Sequence, residues 1–98
     1  MTLNSVNSRC RAALGVSWVV QEHGVVVLDE LARRSAPLAY PEAAVWELLL
    51  REHPTHEAAT ALRWILNLPA DQAQLLVERC VREWTESGWL ARASANTG

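Results

Sequence analysis

Two groups of residues in this 98-residue chain have the types and spacing to do chemistry. In His53-Pro-Thr-His56-Glu57, two imidazoles and a carboxylate lie close together in the chain, a set that could hold a divalent metal. Pro54 breaks the helix between the two histidines, however, and no third ligand stands at a recognised spacing, so no metal site is assigned. The second group is Leu75, Arg79, Arg82 and Glu86, spaced by four, three and four residues. That spacing sets them on one side of a helix, where the two guanidinium groups can meet carboxylates. The chain has no credible Ser–His–acid order, no glycine-rich phosphate loop and no cysteine with a base partner. No catalytic residue and no cofactor is therefore assigned, and the chemistry is that of a binding or structural module.

The stretch Asn67–Leu90 positions the second group. Pro69 and Asp71 are helix-start signals, and Ala73, Val77, Cys80, Val81 and Trp84 then recur at helical spacing. Gly88 ends the helix where the backbone must turn left-handed, and Trp89-Leu90 bring the chain back onto apolar surface.

Upstream, Val16–Gln21 and Val25–Leu28 are β-branched runs on either side of Glu22-His23-Gly24, which predicts an antiparallel hairpin over 16–21 and 24–29 with Gly24 in its turn. Leu31–Ser35 reads as a connection. Ala36-Pro-Leu-Ala-Tyr40 reads as a short third strand, restricted to a sheet edge by Pro37. Pro41 opens a helix that Pro54 stops, and a second helix is expected from about His56 to Leu68. Residues 1–14 read as a flexible segment, 15–92 as one domain and 93–98 as a disordered tail. The fold class is α+β: a three-stranded antiparallel sheet followed by three helices, in the manner of a small winged helix-turn-helix.

Composition narrows the partners. The net charge is −2, from nine arginines against eleven Asp and Glu, with no lysine. Domains that bind nucleic acid through their own field are usually basic, so nucleic acid is disfavoured as a partner. Phenylalanine is absent and the five tryptophans fall one to each apolar segment, which predicts that they form much of the core. Cys10 and Cys80 are too few and too far apart for a disulfide framework, no apolar run reaches the length of a membrane span, and residues 1–11 lack a signal-peptide core. A reduced, cytoplasmic protein is expected.

Two features could carry binding. The edge strand around 35–40 has backbone groups that a peptide could pair with, and the stripe Leu75, Arg79, Arg82 lies off the apolar face of the last helix. A groove between them would combine backbone pairing, an apolar contact and guanidinium groups. Read from pattern alone, the stripe is also what any amphipathic helix exposes to water.

Three segments resemble the PqqD-like family, also called RiPP recognition elements. They are Trp18–Asp29 for the hairpin, Leu38–Leu49 for the third strand and first helix, and Ala73–Leu90 for the closing helix, Gly88 and the two apolar residues after it. The resemblance spans about Val16 to Leu90 and implies a three-stranded sheet followed by a three-helix winged helix-turn-helix. Members bind the leader portion of a ribosomally synthesised precursor peptide, which adds as a strand to the third strand and lies against the last helix. They present it to a modifying enzyme, often a radical-SAM, cyclising or protease partner. The resemblance implies that Ser35, Ala36, Leu38, Leu75, Arg79 and Arg82 border the peptide groove, and Arg34, next to Ser35, is assigned to the same site.

The chain departs from the family pattern at the turn Leu-Ala-Arg-Arg-Ser, where members often have glycine, and at Pro37, which lacks one backbone donor. If that donor position faces outward, strand addition loses a hydrogen bond worth about 1 kcal/mol. If it does not, Pro37 only discourages unwanted edge pairing. The alternatives are a winged-helix DNA-binding regulator, and a dimerising structural subunit that pairs through the same edge.

Overall fold

A computed structural model describes residues 9–51 and 53–93. The expectations for 1–8 and 94–98 lie outside the described residues. The elements run β1 (Arg9–Ala12), β2 (Val16–Gln21), β3 (Gly24–Asp29), β4 (Arg34–Ala39), α1 (Glu42–Leu50), α2 (Thr55–Leu66), α3 (Ala70–Glu86) and β5 (Leu90–Ala93). β2, β3 and β4 form an antiparallel sheet in that order, and three helices follow it, so the fold is α+β.

The hairpin forms as its β-branched runs require. Gln21 pairs with Gly24 across the two turn residues Glu22 and His23. Gly24 is thus the first residue of β3 rather than a turn residue, and glycine is needed there for space. A Cβ at this position would run into the carbonyl oxygen of Leu38 on β4.

The third strand begins earlier than expected, so Arg34 and Ser35 belong to β4 and not to the connection. The loop Glu30–Arg33 is short because Asp29 Oδ1 accepts the Ala32 N–H at 3.1 Å and Arg33 adopts the left-handed conformation, φ 55°. A non-glycine residue seldom does this, which is why the turn left no glycine signal.

α1 is buried nearly all round. It packs on β1, β3, β4, α2 and α3, with Val45, Trp46 and Leu49 fully enclosed. α2 and α3 pack against each other, and α3 turns Ala73, Val77, Cys80, Val81 and Trp84 inward, the face its spacing predicts. Its end is a Schellman motif. Gly88 has φ 83°, its N–H donates to the Thr85 carbonyl at 3.1 Å, and the Trp89 N–H donates to the Trp84 carbonyl at 2.9 Å.

Trp46 is the hub of the core. Its ring meets Trp18, Trp84 and Trp89 edge-on, with centroids 5.9, 5.2 and 6.4 Å away. Trp64 is the exception to the expected aromatic core: it lies on the outer side of α2 and is 81% exposed.

Within the segment 1–14, expected to lack regular structure, Arg9–Ala12 form a strand. β1 pairs antiparallel with β5, from Arg9 opposite Ala93 to Ala12 opposite Leu90, and the Ala13 N–H continues the ladder to the Trp89 carbonyl at 2.9 Å. Cys10 and Leu90 are buried beneath this ribbon. Only one side chain of β1 is buried, so the strand has no apolar alternation of its own and exists because β5 pairs with it.

Candidate peptide-binding site

β4 is an edge strand, bonded to β3 on one side only. Which of its backbone groups are free follows from the register. A two-residue turn closes on a hydrogen-bonded pair, here Gln21 and Gly24, and bonded and open pairs then alternate along the ladder. Gly24 and Val26 therefore direct their N–H and C=O groups at β2, while Val25 and Val27 direct theirs at β4. The bonded pairs of β3 and β4 are Val25 with Leu38, Val27 with Ala36, and Asp29 with Arg34. Ser35, Pro37 and Ala39 thus turn their backbone groups to the free edge.

This answers the question Pro37 raised. Its nitrogen lies on the outward row, opposite Val26 in an open pair, so the sheet itself loses no bond. The free edge has N–H donors at Ser35 and Ala39 and carbonyl acceptors at Ser35, Pro37 and Ala39, with one donor missing at its centre.

Side chains divide the strand the other way. Ala36 and Leu38 lie opposite the buried Val27 and Val25 and are themselves half-buried on the helix side. Arg34 and Ser35 are exposed and, with Leu28, Asp29, Glu30 and Arg33, line an open depression of about 430 Å³ at the β3–β4 turn. Among the described residues, neither Arg33 nor Arg34 has an ion-pair partner within 4.0 Å.

Leu75, Arg79 and Arg82 share the exposed side of α3, with Leu75 63% exposed. α1 packs on both β4 and α3, so the two halves of the candidate site meet through it. Arg79 is not a free cation. Its Nη2 lies 2.8 Å from Glu42 Oε2, at the start of α1, and its Nε lies 3.9 Å from Glu83 Oε2. Arg82 is exposed and makes no ion pair among the described residues. The sequence marked Glu42 only as a helix-start residue, and no local spacing links it to a residue 37 positions away.

The remaining chemistry is sparse. No group of three or more His, Cys, Asp and Glu among the described residues could hold a metal, and His53 Nδ1 lies 3.5 Å from Glu57 Oε1. Burial pushes the Cys80 thiol up to about 11, a weak nucleophile at neutral pH. No helix among the described residues is long and apolar enough to cross a membrane.

The sequence matches no family model and no curated protein. Among solved structures, that of a lasso peptide synthetase B1 complexed with the leader peptide is similar, with a TM-score of 0.77 at 20% sequence identity. The match covers 85% of this chain and 98% of that chain. At this identity the likeness is one of fold.

Proposed function

We propose that this protein is a non-catalytic binder of the leader segment of a ribosomally synthesised precursor peptide. The leader adds as a strand to the free edge of β4 and lies towards α3. The protein presents it to a modifying enzyme, such as a radical-SAM, cyclising or protease partner, in the cytoplasm. The single observation that carries this reading is the open edge of β4, in a fold similar to that of a lasso peptide synthetase B1 solved in complex with the leader peptide. Strand addition needs unpaired backbone groups beside pockets for alternate side chains, and β4 has both, at Ser35 and Ala39 and in the depression beside Arg34.

The site residues take roles by position. Ser35 and Ala39 pair with the peptide backbone, Ala36 and Leu38 shape the apolar floor, and Leu75 contacts an apolar leader side chain. Arg34 and Arg82 meet leader carboxylates, and Arg79 does so by exchanging Glu42 for one. Fluorescence anisotropy with labelled leader peptides from the protein's own gene cluster tests the reading. Binding by one leader, lost when two alternate leader residues are N-methylated, is expected. Absence of binding by every leader in the cluster contradicts it.

A further inference from the structure

The sheet has a second open edge, on β2. Val16, Trp18 and Val20 are the β2 residues whose backbone groups point away from β3, since Ser17, Val19 and Gln21 take the bonded pairs. The Val16 N–H donates to the Ala13 carbonyl at 3.0 Å. The N–H and C=O groups of Trp18 and Val20 have no partner among the described residues.

The two edges differ in how they are guarded. β4 carries a proline on its outward row and an arginine at its start. β2 reads Val-Ser-Trp-Val-Val-Gln, with neither proline nor charge, and Val19 and Val20 are 48% and 57% exposed. Natural edge strands normally carry such guards, and an unguarded apolar edge pairs with another strand.

We infer that β2 pairs antiparallel with β2 of a second copy of this chain, about a two-fold axis at Val19, joining two three-stranded sheets into one of six strands. The occupant is a second copy because the edge is complementary to itself. With Val19 opposite the partner's Val19, Trp18 faces the partner's Val20 and Val20 the partner's Trp18. Four backbone hydrogen bonds then use every unpaired N–H of the edge. A register centred on Trp18 would need the Val16 N–H, which already serves Ala13, and would set Val19 against serine.

Side chains favour the same register. Val19 lies beside Val26, and Val26 beside Pro37, in a row across the outer face of the sheet, a face that carries no charged residue on any of its three strands. Pairing at Val19 joins the two rows end to end. It leaves both β4 edges open, so dimerisation and peptide binding use opposite sides of the sheet.

Sedimentation velocity from micromolar to millimolar concentration is the test, with two variants that spare the core. Val19→Lys sets like charges face to face on the axis, and Val20→Pro removes two of the four hydrogen bonds from the outward row, as Pro37 does on β4. A wild-type monomer–dimer equilibrium whose midpoint rises about tenfold in each variant is expected. A third variant fixes the register. Cys10 and Cys80 are buried, so Val19→Cys introduces an exposed thiol that crosslinks copies under mild oxidation, whereas Gln21→Cys crosslinks far more slowly. A wild type that stays monomeric throughout, a dimer unchanged in both β2 variants, or faster crosslinking at position 21 overturns the inference.

Discussion

Arg79 and Glu42 form a 2.8 Å ion pair that ties α3 to the start of α1, just where the chain leaves β4. Both side chains are partly exposed, so the pair adds little to stability, on the order of 0.2–1 kcal/mol. Its consequence lies in binding, because a leader carboxylate that reaches Arg79 must compete with Glu42. Glu42→Gln is expected to tighten binding of an acidic leader peptide, with a steeper salt dependence, while the melting temperature barely changes. Arg79→Glu gathers three carboxylates at one place and weakens binding without unfolding the domain. Anisotropy titrations at two salt concentrations, with thermal melts alongside, check both.

Pro37 sits at the centre of the open edge and withholds one donor there. Pro37→Ala restores it. Leader affinity is expected to rise by about fivefold, the equivalent of about 1 kcal/mol, in isothermal titration. Fold stability changes little, because the restored N–H points away from β3.

Trp46 is fully enclosed by three other indole rings, and its own indole N–H meets no acceptor among the described residues. Trp46→Ala is expected to cost about 3–5 kcal/mol, a large share of a total that for small domains is about 5–15 kcal/mol. Trp46→Phe keeps an aromatic ring and removes an unpaired buried donor, so it costs clearly less. Urea denaturation of both variants measures the difference.

Much of this arrangement was legible in the sequence where the deciding interactions are local. The inward face of α3, the Gly88 terminus and the β2–β3 hairpin follow from periodicity and turn chemistry. Features that depend on distant residues were not legible. β1 carries one buried side chain and is recognisable only beside β5, about 80 positions away in the chain. The start of β4 at Arg34 has no local signal, because Arg33 takes a left-handed turn position without the usual glycine or asparagine. For the candidate site, the proposed residues fall on β4 and α3, and their positions along those elements follow from local pattern. The commitment of Arg79 to Glu42 and the outward aim of the Pro37 nitrogen required the register and the packing of α1.

Cys80 gives the fold a pH dependence. Burial raises its thiol from the ordinary 9.0 to about 11, against the smaller opposing pull of Arg79. The folded state therefore keeps a proton that the unfolded state has released. This contribution is present in full below pH 9.0 and is lost as pH rises towards about 11. The urea midpoint is expected to fall across that window, and to fall less in Cys80→Ala. In the native state at neutral pH, Cys80 should react with thiol reagents only at the rate of unfolding.

The most direct test of leader binding at β4 is an amide-resolved NMR titration of the labelled protein with leader peptides from its own gene cluster, followed by hydrogen exchange of the complex. Shifts gathered on β4 and on the Leu75, Arg79 and Arg82 side of α3 are predicted. The Ser35 and Ala39 amides, which face outward in the free protein, should become slow to exchange. Shifts confined to β2, or Ser35 and Ala39 amides that exchange as fast with the peptide as without it, would contradict strand addition at β4.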